Sequence, residues 1–536
     1  MKKPFHQTLV ALCLLLLSTL THGQSTNPLF QHLPQDAGHV YELNFDQINS
    51  KGSGAITALL GSIPPGKNAQ TGLIFTILKD PGAAGVDLSQ NIFFTQTTAT
   101  GTGTDTLSFM NVLVKLSDSA KFRSTLTHSI TGMHLHRLPG KGVTASKEHL
   151  GIAWNDQLVV VTLATVEHDG TAKSHAAPVP HRPIGEIATE KSLAALAGFP
   201  NSPLLSDQRF LAGFATNEDV HAWSTRMDMM EMISKLGRKM ADKNPMMKGR
   251  PMPDYSGRMS QMPRPPVLTT FNFDNGRIIL KTTMMYKPED AAVFKKIYDR
   301  GINKDLLARV PNNGLLLGFV GFHLNPAGIP DILDKYHTRA MIDSMLGKKG
   351  LTINDISAVI GGDFLVAALA DTAAATDTAK KKINFYVVAT LGDPAKLMTI
   401  AAKAAGGGGT MDTAGMAKMK KLMEKLVIQD NLLVVSTTHE LALQYVNNHD
   451  HRSTALAGED NNPMHVAIDL KAVSAYLSHS GTSDPKLLVF ARVLEKLEKI
   501  DFTGGVTDDT NYTLTFQIVT GDPSTNSLAT LLNLMH

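Results

Sequence analysis

The sequence predicts an α+β fold of two duplicated halves, each built on an antiparallel sheet covered by helices. Three observations predict it. Apolar runs of strand length recur along the chain, and several are joined by turns too short for a parallel crossover. Helix-like stretches stand between them. One order of elements, closing on the same hairpin pattern, occurs twice.

The chain opens with Met1-Lys2-Lys3, then an almost wholly apolar run from Leu9 to Leu20, then Thr21-His22-Gly23-Gln24. A basic start, a short apolar stretch and a small-residue site are the parts of a secretory signal peptide. Residues 1–23 are therefore expected to be removed, with the apolar run too short to span roughly 30 Å of hydrocarbon. Cys13, the single cysteine, lies inside this segment behind Leu12, which does not fit a lipidation site. The mature chain is expected to lack disulfides, thiolate nucleophiles and cysteine metal sites, and not to be lipid-anchored.

The first α+β unit, 24–165, begins with the strand pattern His39 to Phe45. Helix-like stretches follow near Ile56 to Leu60 and Thr71 to Leu78, then strands at Asn91 to Phe94 and Leu107 to Val114 and a helix from Ser117 to Leu126. It closes with His149 to Trp154, the turn Asn155-Asp156, and Gln157 to Thr162, a hairpin signal. Residues 166–207 read as a surface connector with one helix, Thr189 to Ala197. The second unit, 208–287, predicts a helix over Asn217 to Leu236 and a strand pair joined at Asp274-Asn275-Gly276. Within it, residues 242–266 carry prolines, glycines and five methionines and read as a mobile insert.

A helical bridge is expected over 288–309. The third unit, 310–450, repeats the first. A strand covers Leu315 to Phe322, a helix Ile329 to Met345, strands Asp363 to Ala367 and Ile383 to Ala389, and a helix Pro394 to Ala405. The closing hairpin is Lys425 to Thr437, turning at Gln429-Asp430-Asn431. The fourth unit, 451–536, repeats the second: Met464 to Leu470, helices Val473 to Leu477 and Pro485 to Lys499, then strands Ile500 to Thr507 and Asn511 to Thr520.

Composition bounds the function. The 536 residues are 43% hydrophobic and 18% charged with a net charge of +3, which falls to +1 without Lys2 and Lys3. Such a chain has no long-range field to gather nucleic acid or an anionic membrane. No stretch beyond residue 23 reads as a transmembrane segment.

Candidate chemical motifs fail on their own requirements. Gly61-Ser62-Ile63-Pro64-Pro65-Gly66-Lys67-Asn68 has phosphate-loop spacing, but two prolines remove N–H donors and Asn68 stands where a hydroxyl is needed. Met246, Met247, Met252, Met259 and Met262 could hold Cu(I), yet methionine is common here, with 24 in the chain. His134-Leu135-His136 and His449-Asp450-His451 offer two imidazoles each, short of the three or four ligands a zinc site needs. His439-Glu440 lacks the second histidine of a zinc-protease helix, and Ser483-Asp484-Pro485-Lys486 stands without its companion motifs. Asp87, Asp363, Asp508 and Asp509 read as turn and cap residues. No catalytic, cofactor-binding or metal residue is assigned, and no cofactor.

The segments Pro34-Gln35-Asp36-Ala37-Gly38 and Asp80-Pro81-Gly82-Ala83-Ala84-Gly85-Val86-Asp87-Leu88, each leading into a strand and echoed at Pro311 and Gly350, resemble a family of exported proteins. These are proteins of Bacteroidetes-type bacteria known only as a domain of unknown function. The resemblance implies no catalytic residues. The expectation is a non-enzymatic periplasmic or envelope protein that binds or scaffolds an envelope protein or polymer. A periplasmic hydrolase with dispersed residues and a metal-handling protein using the methionine-rich insert are the alternatives.

Overall fold

The computed structural model describes residues 27–52, 76–100 except 78, 106–138 except 131, 142–167, 182–225, 264–371 except 349, 383–400 except 398, 424–458, 461–479 and 484–535. The chain divides into two compact units, Met1–Thr225 and Arg226–His536. Both are α+β, and every strand pairing described is antiparallel.

In the first unit the strands are β1 (His39–Leu43), β2 (Ile92–Thr100), β3 (Thr106–Lys115), β4 (His134–Leu138), β5 (Gly142–Lys147), β6 (Leu150–Trp154), β7 (Leu158–Glu167) and β8 (Val220–Ser224). Their order across the sheet is β8-β1-β2-β3-β7-β6-β5-β4. Residues 220–224 form a strand where helical spacing suggested a helix, because His221 and Trp223 alternate inward against β1.

Helices lie on both faces of this sheet. The helix Ile184–Ala197 starts earlier than its apolar pattern and is part of the core, not a surface connector. Its Ser192 hydroxyl lies 3.0 Å from the Gly151 carbonyl and 2.7 Å from Thr162 Oγ1. The helix approaches so closely because Gly151 has no side chain, where a Cβ would sit 2.2 Å from the Thr189 nitrogen. On the opposite face, the helix Ser119–Ser129 buries Phe122 edge-on against Trp154 at 5.6 Å. Strand β6 is accordingly buried at every position, as expected of a strand covered on both sides.

In the second unit the strands are β9 (Val267–Asp274), β10 (Arg277–Met285), β11 (Gly314–His323), β12 (Ile360–Asp371), β13 (Ile383–Leu391), β14 (Leu426–Gln429), β15 (Leu432–Ser436), β16 (Met464–Asp469), β17 (Leu497–Val506) and β18 (Asn511–Thr520). Their order is β9-β10-β18-β17-β16-β11-β12-β13-β15-β14. The bridge is two helices, Pro288–Ile297 and Lys304–Ala308. The long helix expected over Ile329 to Met345 is also two, Gly328–Lys335 and Arg339–Gly347, separated where His337 takes a φ of 53°.

Six strands of each unit share one order and one register. The buried row His221–Glu42–Phe93–Leu113–Val160–Ala153 crosses β8-β1-β2-β3-β7-β6. The buried row His465–Gly321–Leu365–Val388–Val434–Val427 crosses β16-β11-β12-β13-β15-β14. Carried along the chain without a gap, this register sets Leu116-Ser117-Asp118-Ser119-Ala120-Lys121 beside Leu391-Gly392-Asp393-Pro394-Ala395-Lys396. Asp118 accepts from the backbone N–H groups of Ala120 and Lys121, and Asp393 from that of Lys396. Leu365, Val388, Val434 and Val427 of the second row belong to the main core cluster of that unit.

Candidate functional site

Three kinds of feature compete: buried histidine–carboxylate clusters, an apolar sheet face and a groove. The clusters were not legible as motifs. His221 lies between Glu42, 2.8 Å from its Nδ1, and Thr216, 2.9 Å from its Nε2. Asn91 donates to Glu42 at 2.6 Å, and the Phe214 ring covers the imidazole. His323 has Asp363 at 2.8 Å from Nδ1 and Asp299 at 2.7 Å from Nε2, so its imidazole bridges two carboxylates. Arg300 and Asn303 complete Asp363. This corrects the sequence reading of Asp363 as a turn residue. It is a buried ionic partner that ties β12 to β11 and to the chain before helix Lys304–Ala308.

In the third cluster His465 Nε2 meets Asp501 at 2.5 Å, and Lys499 donates to the same carboxylate at 2.8 Å. Burial works against the ionised Asp501, yet the bonds from His465 and Lys499 hold it below the usual carboxylate range. Asp299 is held low by His323 and Asn325 against the same burial effect. None of the three clusters lines the groove described below. They cross-link strands.

The second unit has an apolar row on its other face: Val466–Val320–Val366–Val387–Val435 in register across five strands. Val320, Val366 and Val387 are exposed, as is Phe385 beside them. In the first unit the matching row is Ala222–Tyr41–Phe94–Val112–Val161, where Phe94, Val112 and Val161 pack against the core that holds Phe122 and Leu126.

The groove lies at one end of the first sheet and has a volume of about 1100 Å³. Leu138 and Val143 of the β4–β5 hairpin, Trp154 of β6 and Leu193, Ala194 and Leu196 of helix Ile184–Ala197 supply its apolar walls. Its carboxylates are engaged. Glu190 takes the Arg182 guanidinium at 2.5 Å, which holds its carboxyl below the ordinary range, and Asp156 accepts from the Ser119 hydroxyl at 2.8 Å. Arg137 lines the groove, is exposed, and has no side-chain partner among the described residues. An apolar trough with a few convergent polar groups is the usual form of a binding site.

Strand β4 borders the groove and pairs only with β5, and its outer backbone edge has no strand partner among the described residues. Its exposed side chains are His134, His136 and Arg137. The two imidazoles stand on one side of the strand as their spacing required. No group of three or more His, Cys, Asp or Glu that could hold a metal occurs among the described residues.

The other residues singled out from the sequence are dispersed. Asp484 caps the helix Pro485–Glu495, Asp87 holds Ser89, and Asp508 closes a turn with Thr510 and Asn511. Asp509 pairs with Lys295. The phosphate-loop segment and the five insert methionines lie outside the described residues.

No protein-family model matches the chain, and no curated protein matches it. Among solved structures, crystal forms I, III and IV of TP0453 are similar at 8–9% identity and TM-scores of 0.27–0.29. The match spans 51–52% of this chain and 86–89% of that one. At that level the likeness bears on neither mechanism nor partner.

Proposed function

We propose that the protein is an exported, internally duplicated, non-enzymatic binding protein of a bacterial envelope. Its first unit captures an extended acidic segment of a partner protein by adding it as a strand to β4. The single observation that carries this is the coincidence of three things at one place: the outer edge of β4, which has no strand partner among the described residues, its imidazole and guanidinium side chains, and the apolar groove beside it. Strand addition takes affinity from main-chain hydrogen bonds and specificity from neighbouring pockets. The export reading is supported by the pattern of residues 1–23. The duplication is supported by the shared register of six strands and by the two Leu-x-Asp-x-Ala-Lys segments with their matching caps.

The test is a quantitative pull-down from envelope extract with three forms: wild type, Arg137→Glu and Ala194→Trp. Both altered side chains are exposed and line the groove, so the fold is expected to survive, as circular dichroism can check. The expected result is one partner retained by wild type and lost from both variants. Equal recovery by all three forms would overturn the proposal.

One observation favours a second reading as a hydrolase. Thr216, His221 and Glu42 stand in hydroxyl–imidazole–carboxylate order with hydrogen-bond distances throughout. Against it, the Thr216 hydroxyl also lies 3.1 Å from the Gly213 carbonyl, a local turn contact. Ester hydrolysis that disappears in Thr216→Val would establish that reading.

A further inference from the structure

We propose that the helix Pro485–Glu495 of the second unit rests on the surface of an anionic membrane. Its most exposed apolar side chains are Leu487 at 40%, Val489 at 58% and Phe490 at 52%. Lys486, Val489, Phe490 and Val493 follow the spacing i, i+3, i+4, i+7, so they form one stripe along the helix. The stripe cannot be an inward face seen from outside, because the inward positions are already filled. Ala491 and Leu494 are buried, and the Ser474 hydroxyl donates to the Ala491 carbonyl at 2.8 Å, pinning the helix to its neighbour Leu470–His479.

The chemistry around the stripe selects the occupant. Lys486 begins the stripe and exposed Arg492 and Lys496 flank it, while Glu495 is the one exposed acid within the helix and Glu498 is exposed just beyond it. Asp484 spends an oxygen on the helix N-terminus, accepting from the Lys486 N–H at 2.9 Å. Apolar side chains rimmed by long basic ones suit a headgroup layer: Val and Phe enter the acyl boundary and the ammonium and guanidinium groups reach back to phosphates. A protein groove would need to complement both at once, whereas a lipid surface does so without shape matching. The chain's near-neutral charge supplies no long-range pull, so attachment rests on this local patch. No helix among the described residues is long and apolar enough to cross a membrane, and the contact proposed is a peripheral one. The inference does not depend on the β4 reading, since the two sites are on different units.

The test uses the full mature chain and sucrose-loaded vesicles of phosphatidylcholine, with and without roughly one-third phosphatidylglycerol. The expected result is co-sedimentation with the anionic vesicles, weakened by high salt. Val489→Glu/Phe490→Glu is expected to bind at least about tenfold more weakly while unfolding at the wild-type temperature. In Phe490→Trp the emission should shift to the blue on adding anionic vesicles. This second readout holds if the double variant fails to fold. No sedimentation with anionic vesicles, or no emission shift in the Phe490→Trp variant, would overturn the proposal. So would a concentration-dependent dimer in size-exclusion chromatography that the double variant abolishes, which would assign the stripe to a second copy.

Discussion

The buried histidines set the chemistry at the scale of single residues. Each meets a carboxylate, and in each case the pair joins chain segments far apart in sequence. Such pairs add little over an apolar substitute, but losing one partner strands the other in low dielectric. Asp501→Ala should therefore cost about 3–5 kcal/mol in chemical denaturation, since it deserts both His465 and Lys499. The pH dependence follows from the direction of the shift. Asp501 is held below its ordinary value in the folded state. Its contribution is present in full above that ordinary value and is lost as pH falls through the folded value. Wild-type melting temperature should thus drop on acidification below about pH 4, and Asp501→Asn should flatten that drop. Sequence reading missed these pairs for a physical reason. His323 and Asp363 lie 40 positions apart and meet only because β11 and β12 are in register. Asp363 also follows Gly361-Gly362, which reads as a turn.

Elements were legible where local rules decide them. Strands β17 and β18 and the closing hairpins appear where alternation and turn residues place them, because backbone geometry fixes the periods. Legibility failed where packing overrode pattern. Residues 220–224 carry helix-compatible residues, yet they add to β1 as a strand. The segment 184–197 reads as one short helix from Thr189 within a surface connector, yet its small residues Gly185, Ala188, Ser192 and Ala195 are buried. Those small residues are what permits its close approach to β6. Gly151→Ala should cost more than about 2 kcal/mol in denaturant unfolding, since the new methyl meets backbone atoms of Ala188 and Thr189 that cannot move alone. The two aspartate caps give a paired prediction. Asp118→Ala and Asp393→Ala should each destabilise by about 1 kcal/mol, with similar values because each carboxylate accepts from the backbone three residues on.

The arrangement of the whole molecule was half legible. The α+β class was readable from pattern. The extra strands β4 and β5, which widen the first sheet and create its groove, were not. The motif His134-Leu135-His136 reads as a ligand pair, while in the structure it lies on a strand whose outer edge has no strand partner among the described residues. Linear reading reports which residues are near in sequence, and an edge is a property of what fails to pair with them. The central claim, that partner capture occurs along β4, is tested most directly by amide hydrogen exchange with mass spectrometry on the protein before and after loading with its captured partner. The account predicts slowed exchange confined to His134–Leu138 and to the groove-facing part of Ile184–Ala197. Protection elsewhere, with β4 exchanging as fast as in the free protein, would contradict it.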